Sequence, residues 1–236
     1  MEKKYDLKYL FVLLLFLTVI CFQASTFLFD KKIDVEKTVK LSVVEVKAET
    51  NDDGDIYESF GSAVFVKDDG TLVTNAHVVT FKLSQETVAF ENIYIRFATE
   101  NNYRAVTLEK YDLEKDLAVL KLSDKDCKFK AIKIGDSSKL KFNDEVYALG
   151  NLNKVGVSLT KGVISNPKIN VEYNGNTREV IQSDLVIAEG NSGGALVDDE
   201  GKLIGITTFR LKDGSNDTIY GICYSIPVNI VVEYIK

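Results

Sequence analysis

A serine hemmed in by glycines stands in the stretch 188–196, AEGNSGGAL. Glycines on both sides of Ser192 suit a tight turn that exposes the hydroxyl and aims main-chain N–H groups at a reacting carbonyl. Gly190-Asn191-Ser192-Gly193-Gly194 also spells G-x-S-x-G, the strand–turn–helix elbow in which serine is followed by an acid and then by histidine. The chain has a single histidine, His77, and nothing downstream of Ser192 can act as the base, so that order is excluded. The reverse order remains open. His77 lies in 71–79 (TLVTNAHVV), after the Asp69-Gly70 turn, and Asp116 lies in 111–122 (YDLEKDLAVLKL), directly before an apolar strand that would carry its carboxylate inward. Asp112 and Glu114 are the competing acids. Serine, imidazole and carboxylate together would do nucleophilic acyl chemistry, with histidine as general base. One histidine and three scattered cysteines exclude a zinc finger or ribbon and any mechanism that needs two histidines.

The elements that must position these residues read as β-strands. Runs rich in β-branched and aromatic residues recur at 41–47, 61–67, 92–98, 117–122, 145–149, 156–165, 168–173, 178–182, 203–209 and 219–225. Asp69-Gly70, Asn174-Gly175 and Asp213-Gly214 supply turn pairs between them. Many short strands with little helix predict a barrel or sandwich. Only 227–236 (PVNIVVEYIK) reads as a helix, opened by proline. A chain of 236 residues with 45% hydrophobic and 27% charged content is that of a folded globular protein. Its formal charge of -6 excludes nucleic acid as the main partner, since a phosphate-binding surface shows as basic excess.

One segment stands apart. Tyr9 to Phe29 is a run of 21 residues without a formal charge, rich in Leu, Phe, Val and Ile. As a helix it would span about 31 Å, close to the apolar thickness of a bilayer. A secretory signal should end in a small-x-small site. Ala24 has Phe22 two residues earlier, and Cys21 follows Thr18-Val19-Ile20, so neither fits cleavage well. An uncleaved membrane anchor is the favoured reading and a removed signal peptide the alternative, either of which puts the rest outside the cytoplasm. Residues 1–34 form this tail and anchor; 35–236 form the soluble part, with a charge of -7.

TNAHVV, DLAVLKL and GNSGGAL, in that order, resemble the trypsin-like serine proteases of the HtrA/Deg family. The resemblance continues through 60–65 (FGSAVF), 134–151 (IGDSSKLKFNDEVYALGN), 160–165 (TKGVIS), 181–197 (IQSDLVIAEGNSGGALV), 203–207 (LIGIT) and 221–229 (GICYSIPVN). It implies an all-β fold of two six-stranded antiparallel β-barrels, 35–127 and 128–236, with the active site between them. It further implies that His77, Asp116 and Ser192 are the triad and that the N–H groups of Gly190 and Ser192 form the oxyanion hole. Substrates would be unfolded or damaged polypeptides.

Trypsins place a pocket carboxylate six residues before the serine; Val186 stands there, so cleavage after Lys or Arg has no anchor. The V8-type glutamyl endopeptidases recognise glutamate with an extra histidine that this chain lacks. A pocket lined by Ile187, Thr207, Thr208 and Phe209, taking a small or medium apolar side chain, is the reading that follows. The strand at 206–210 would pair with substrate backbone. The family's PDZ domain has no counterpart in these residues, and its common trimeric assembly is an expectation from the resemblance alone. No metal or cofactor is implied. A polypeptide-binding chaperone on the same fold and a narrow-specificity processing protease are the rival readings.

Overall fold

The computed structural model describes residues 7–29, 41–124, 126–151, 157–173, 175–212 and 218–236, without the side chains at 7, 10, 21–29, 173, 209–212 and 218–220. The chain falls into two units, Met1–Ile33 and Asp34–Lys236. The first holds one helix, α1 (Leu7–Phe29), built from a Leu- and Phe-rich run with no proline or glycine to break it. Among the described residues no helix is long and apolar enough to cross a membrane; the described side chains of α1 end at Ile20.

The second unit is β almost throughout. Its strands are β1 (Val43–Asp52), β2 (Asp55–Phe65), β3 (Thr71–Thr74), β4 (Thr80–Leu83), β5 (Glu86–Ala89), β6 (Asn92–Phe97), β7 (Arg104–Asp112), β8 (Leu117–Lys121), β9 (Glu145–Asn151), β10 (Val157–Tyr173), β11 (Asn176–Ser183), β12 (Ala195–Asp198), β13 (Leu203–Lys212) and β14 (Thr218–Pro227). One barrel closes in the order β1-β2-β3-β8-β7-β6 and the other in the order β10-β11-β14-β13-β12-β9, while β4 and β5 form a separate hairpin. The expected pair of six-stranded antiparallel barrels is therefore present. A one-turn helix α2 (Ala76–Val79) follows β3, and α3 (Val228–Tyr234) closes the fold directly after Pro227.

Local sequence explains the departures from the expected strands. β1 and β2 meet at Asp53-Gly54, where both residues have positive φ (50° and 99°) and Asp52 pairs with Asp55. That is the two-residue turn whose twist matches the flanking strands. The runs 156–165 and 168–173 are one strand, β10, with Pro167 seated where the β10–β11 register shifts between Asn166 and Ile169. A bulge is the place where a strand tolerates a residue without an N–H. Gly175 takes the positive φ expected of a turn; Asn174 and the Asp213-Gly214 pair lie outside the described residues.

Each barrel has its own apolar core, and a third core joins them. In the first barrel Phe65 stacks between Phe97 and Phe129, with ring centroids 5.8 and 4.4 Å away. The joining core packs Val43, Val64, Val73 and Leu117 of the first barrel against Leu149, Ala195 and Ile206 of the second, with Val228 and Val231 of α3. Lys67 and Lys110 donate to the carbonyls of Ile235 and Tyr234 at the end of α3, at 2.9 and 2.6 Å. Cations suit the carbonyl end of a helix. The joining core matters for chemistry because Leu117 directly follows Asp116 and Ala195 opens the strand after Ser192. Cys127 and Cys223 are buried thiols not joined in a disulfide, and burial pushes the Cys127 thiol up.

Candidate active site

His77 sits on α2, where Ala76, Val78 and Val79 are buried and the imidazole is left 48% exposed. Only the histidine of this turn is outside the core, because its neighbours are the apolar ones. Its Nδ1 lies 3.0 and 2.9 Å from the two carboxylate oxygens of Asp116, and its main-chain N–H donates to Asp116 Oδ1 at 3.1 Å. With Nδ1 donating, Nε2 is the free acceptor nitrogen.

Asp116 precedes β8 with φ +55°, a left-handed conformation that turns its side chain inward, where it is 4% exposed. Thr208 Oγ1 donates to Asp116 Oδ2 at 2.7 Å, and Asn75 Nδ2 donates to the Asp116 carbonyl at 2.9 Å. Arg178 Nη1 from β11 stands 3.6 Å from Oδ2, and its Nη2 donates to the Leu113 carbonyl at 2.9 Å. Burial alone would raise this carboxyl, but the hydrogen bond and charge of His77, with the Thr208 hydroxyl and the His77 amide, hold it below the usual carboxylate range. The competing acids face elsewhere: Asp112 pairs with Lys115 at 2.7 Å and Glu114 is exposed.

Ser192 lies in the 188–194 loop between β11 and β12, and that loop is meshed to β13. Gly193 N–H donates to the Thr207 carbonyl, Thr207 N–H to the Gly194 carbonyl, and Thr207 Oγ1 to the Asn191 carbonyl, at 2.9, 3.0 and 2.5 Å. Gly193 has φ +83°, and a Cβ there would lie 2.1 Å from the Ser62 carbonyl oxygen, so only glycine fits. Ser192 Oγ donates to the Thr208 carbonyl at 2.9 Å. Thr208 thus touches both halves of the site, with its carbonyl on the serine and its hydroxyl on the aspartate that holds His77. Neither Gly190 N–H nor Ser192 N–H donates to a main-chain carbonyl among the described residues, whereas the N–H of Asn191 between them donates to the Ala188 carbonyl at 3.1 Å.

The structure thus brings His77, Asp116 and Ser192 into one hydrogen-bonded neighbourhood through Thr208. The residues assigned to a substrate pocket have other partners. Ile187 is packed in the second barrel core against Val146, Ala148 and Leu196. Thr207 and Thr208 are buried, with their hydroxyls engaged as described, and the Phe209 side chain lies outside the described residues. Val186, by contrast, is 64% exposed. The role of Thr208 as the bridge went unread in the sequence, and so did Ser62, whose amide donates to the Ser192 carbonyl at 2.8 Å.

Two β-barrels in one packed unit, with a buried aspartate on a histidine and a glycine-flanked serine, are the arrangement expected of a double-barrel serine hydrolase. Comparison with known proteins narrows the class. Residues 61–206 match the trypsin-like peptidase domain. A serine protease HtrA-like protein of Staphylococcus aureus (strain USA300) is 33% identical over 223 residues, covering 86% of this chain and 27% of that protein. A probable serine protease do-like protein of Buchnera aphidicola is 35% identical over 191 residues, covering 79% of this chain and 37% of that one. The HtrA-type protease AlgW, solved with a tripeptide, superposes with a TM-score of 0.69 at 32% identity, over 84% of this chain and 60% of that one. The chain belongs to the trypsin-like peptidase family, a family of serine endopeptidases, with HtrA-type proteases among its relatives. It spans about a quarter to two-fifths of the length of these curated relatives.

Proposed function

We propose that this chain is an endopeptidase that cleaves unfolded or damaged polypeptides outside the cytoplasm, with His77, Asp116 and Ser192 as its triad. The observation that carries the reading is the His77–Asp116 pair, bonded through Nδ1 and the main-chain amide and linked to Ser192 by Thr208. In the reaction the Ser192 hydroxyl leaves the Thr208 carbonyl for His77 Nε2 and attacks the scissile carbonyl. His77 takes the proton and later delivers it to the leaving amine, while Asp116 holds the tautomer and stabilises the imidazolium. The carbonyl oxygen, now negative, is received by the N–H groups of Gly190 and Ser192. The substrate backbone adds as a strand along β13, and the exposed Val186, six residues before the serine where trypsins carry a pocket carboxylate, suits small or medium apolar side chains.

The location rests on the uncharged run from Tyr9 to Phe29, which we read as an anchor. The test is proteolysis of a reduced, unfolded protein beside its native form. Cleavage at many sites of the unfolded form, with turnover reduced roughly 10⁶-fold in Ser192→Ala, is the expected result. Undiminished cleavage by Ser192→Ala refutes the triad. Binding of the unfolded chain without cleavage favours the chaperone reading.

A further inference from the structure

Of the peptide planes in the serine loop, the one between Glu189 and Gly190 stands out. Neither its carbonyl nor its N–H makes a main-chain hydrogen bond among the described residues. The neighbouring planes are held. The Asn191 carbonyl receives Thr207 Oγ1 and Gly194 N–H, and the Ser192 carbonyl receives Ser62 N–H at 2.8 Å. Gly190 has φ +93° and no side chain, so it is free to swivel unless something outside the loop restrains it. The plane it hangs from, Gly190–Asn191, is held at both ends: Asn191 N–H donates to the Ala188 carbonyl at 3.1 Å, and the fully buried Ser62 of β2 donates its Oγ to the Gly190 carbonyl at 2.7 Å.

The Ser62 hydroxyl is itself oriented. Asn151 N–H, at the end of β9, donates to Ser62 Oγ at 2.8 Å, so the hydroxyl proton must point at another acceptor, and Gly190 is that acceptor. Asn151 is buried and its side-chain amide donates to Glu45 of β1. Glu45 has a 3% exposed side chain that also accepts from Arg96 Nη2 at 3.0 Å and from the Tyr103 hydroxyl. Burial and the Glu45 carboxylate push the Tyr103 phenol up to about 12, so it stays a donor. A buried carboxylate with three donors is fixed in place.

We propose that Ser62 is a positioning residue that sets the oxyanion donors Gly190 and Ser192 from the opposite barrel, and that the Glu45–Asn151 pair holds Ser62 in register. This role presupposes the peptidase reading of Ser192. Ser62 grips the carbonyls of both donor residues, one through its hydroxyl and one through its amide. Loss of the hydroxyl leaves the Gly190–Asn191 plane, from which the Gly190 donor hangs, with only its Asn191–Ala188 hydrogen bond, while the main-chain grip on Ser192 survives.

The test is Ser62→Ala in the full chain, with rates normalised to active sites titrated by a fluorophosphonate. One misplaced oxyanion donor should lower kcat about 10- to 100-fold with KM little changed. A peptide boronate, which forms the tetrahedral adduct, should weaken by the same factor. Ser62→Thr, which keeps the hydroxyl, should restore most of both. Should Ser62→Ala yield no folded protein, Ser62→Cys, whose thiol is a poor donor, carries the same expectation. Wild-type kcat and boronate affinity per titrated site in the Ala or Cys variant overturns the proposal. A loss confined to the number of titratable sites overturns it too, since that is what a merely structural role gives. If the wild-type chain neither turns over peptides nor reacts with the fluorophosphonate, the peptidase reading itself falls, and this role with it.

Discussion

Thr208→Val removes one oxygen from the middle of the site and leaves its shape nearly unchanged. The Thr208 carbonyl that receives Ser192 is main chain and survives; what disappears is the 2.7 Å hydrogen bond to Asp116 Oδ2. Asp116 is 4% exposed, and its remaining donors are the ring and amide of His77, with Arg178 at 3.6 Å. A hydrogen bond to a buried charge contributes about 1.5–3 kcal/mol. The variant should therefore lose that much stability near neutral pH, roughly 10- to 150-fold in the folding constant. The sign with pH follows from the carboxyl being held below its ordinary range. Stability from such a group is complete above the unfolded carboxyl's pKa and is lost as pH falls through the folded one. The gap between variant and parent should thus be widest near neutral pH and narrow as the pH falls through the unfolded carboxyl's value and on through the lower folded one. Urea unfolding followed by circular dichroism measures it, with both proteins carrying Ser192→Ala so that neither digests itself. No gap at neutral pH, or a gap that does not change with pH, would show that Thr208 does not serve a charged carboxylate.

Asp116→Asn should fold and keep KM, but it should lose about 10⁴-fold in kcat, because an amide can set the wrong imidazole tautomer; steady-state kinetics on a peptide substrate checks this. Gly193→Ala forces a Cβ to within 2.1 Å of the Ser62 carbonyl and 2.2 Å of Thr74 Oγ1 at a φ of +83°, so it should lower the melting temperature sharply and abolish activity. Glu114→Gln, at an exposed position, should leave kcat within about twofold and stability within about 0.5 kcal/mol.

Much of the site was legible because each candidate sits in a local pattern. A glycine-flanked serine and a single histidine need no tertiary knowledge to be noticed, and their order along the chain excludes the elbow reading. The choice of Asp116 over Asp112 and Glu114 is different, because it depends on a φ of +55° and on burial that no spacing reveals. Thr208 was hidden for a related reason: its partner Asp116 is 92 residues away and belongs to the other barrel. The stretch 184–187 did carry a usable signal. Leu185 and Ile187 are buried while Asp184 and Val186 are exposed, the two-residue alternation of extended chain, so Ile187 shares a face with the core. The Asp53-Gly54 turn was equally readable, with strand-like residues on both sides. The merging of 156–165 with 168–173 was not, because proline normally interrupts a strand and only the bulge accommodates it.

The central claim is that Ser192 is a nucleophile activated by His77. Treatment of the full chain with a fluorophosphonate, followed by peptide mass mapping, tests it most directly. The account predicts one covalent adduct, on Ser192, formed in step with loss of peptidase activity and absent when His77 is replaced by alanine. An unlabelled Ser192 in a chain that still cleaves peptides, or labelling that proceeds equally well without His77, would contradict it.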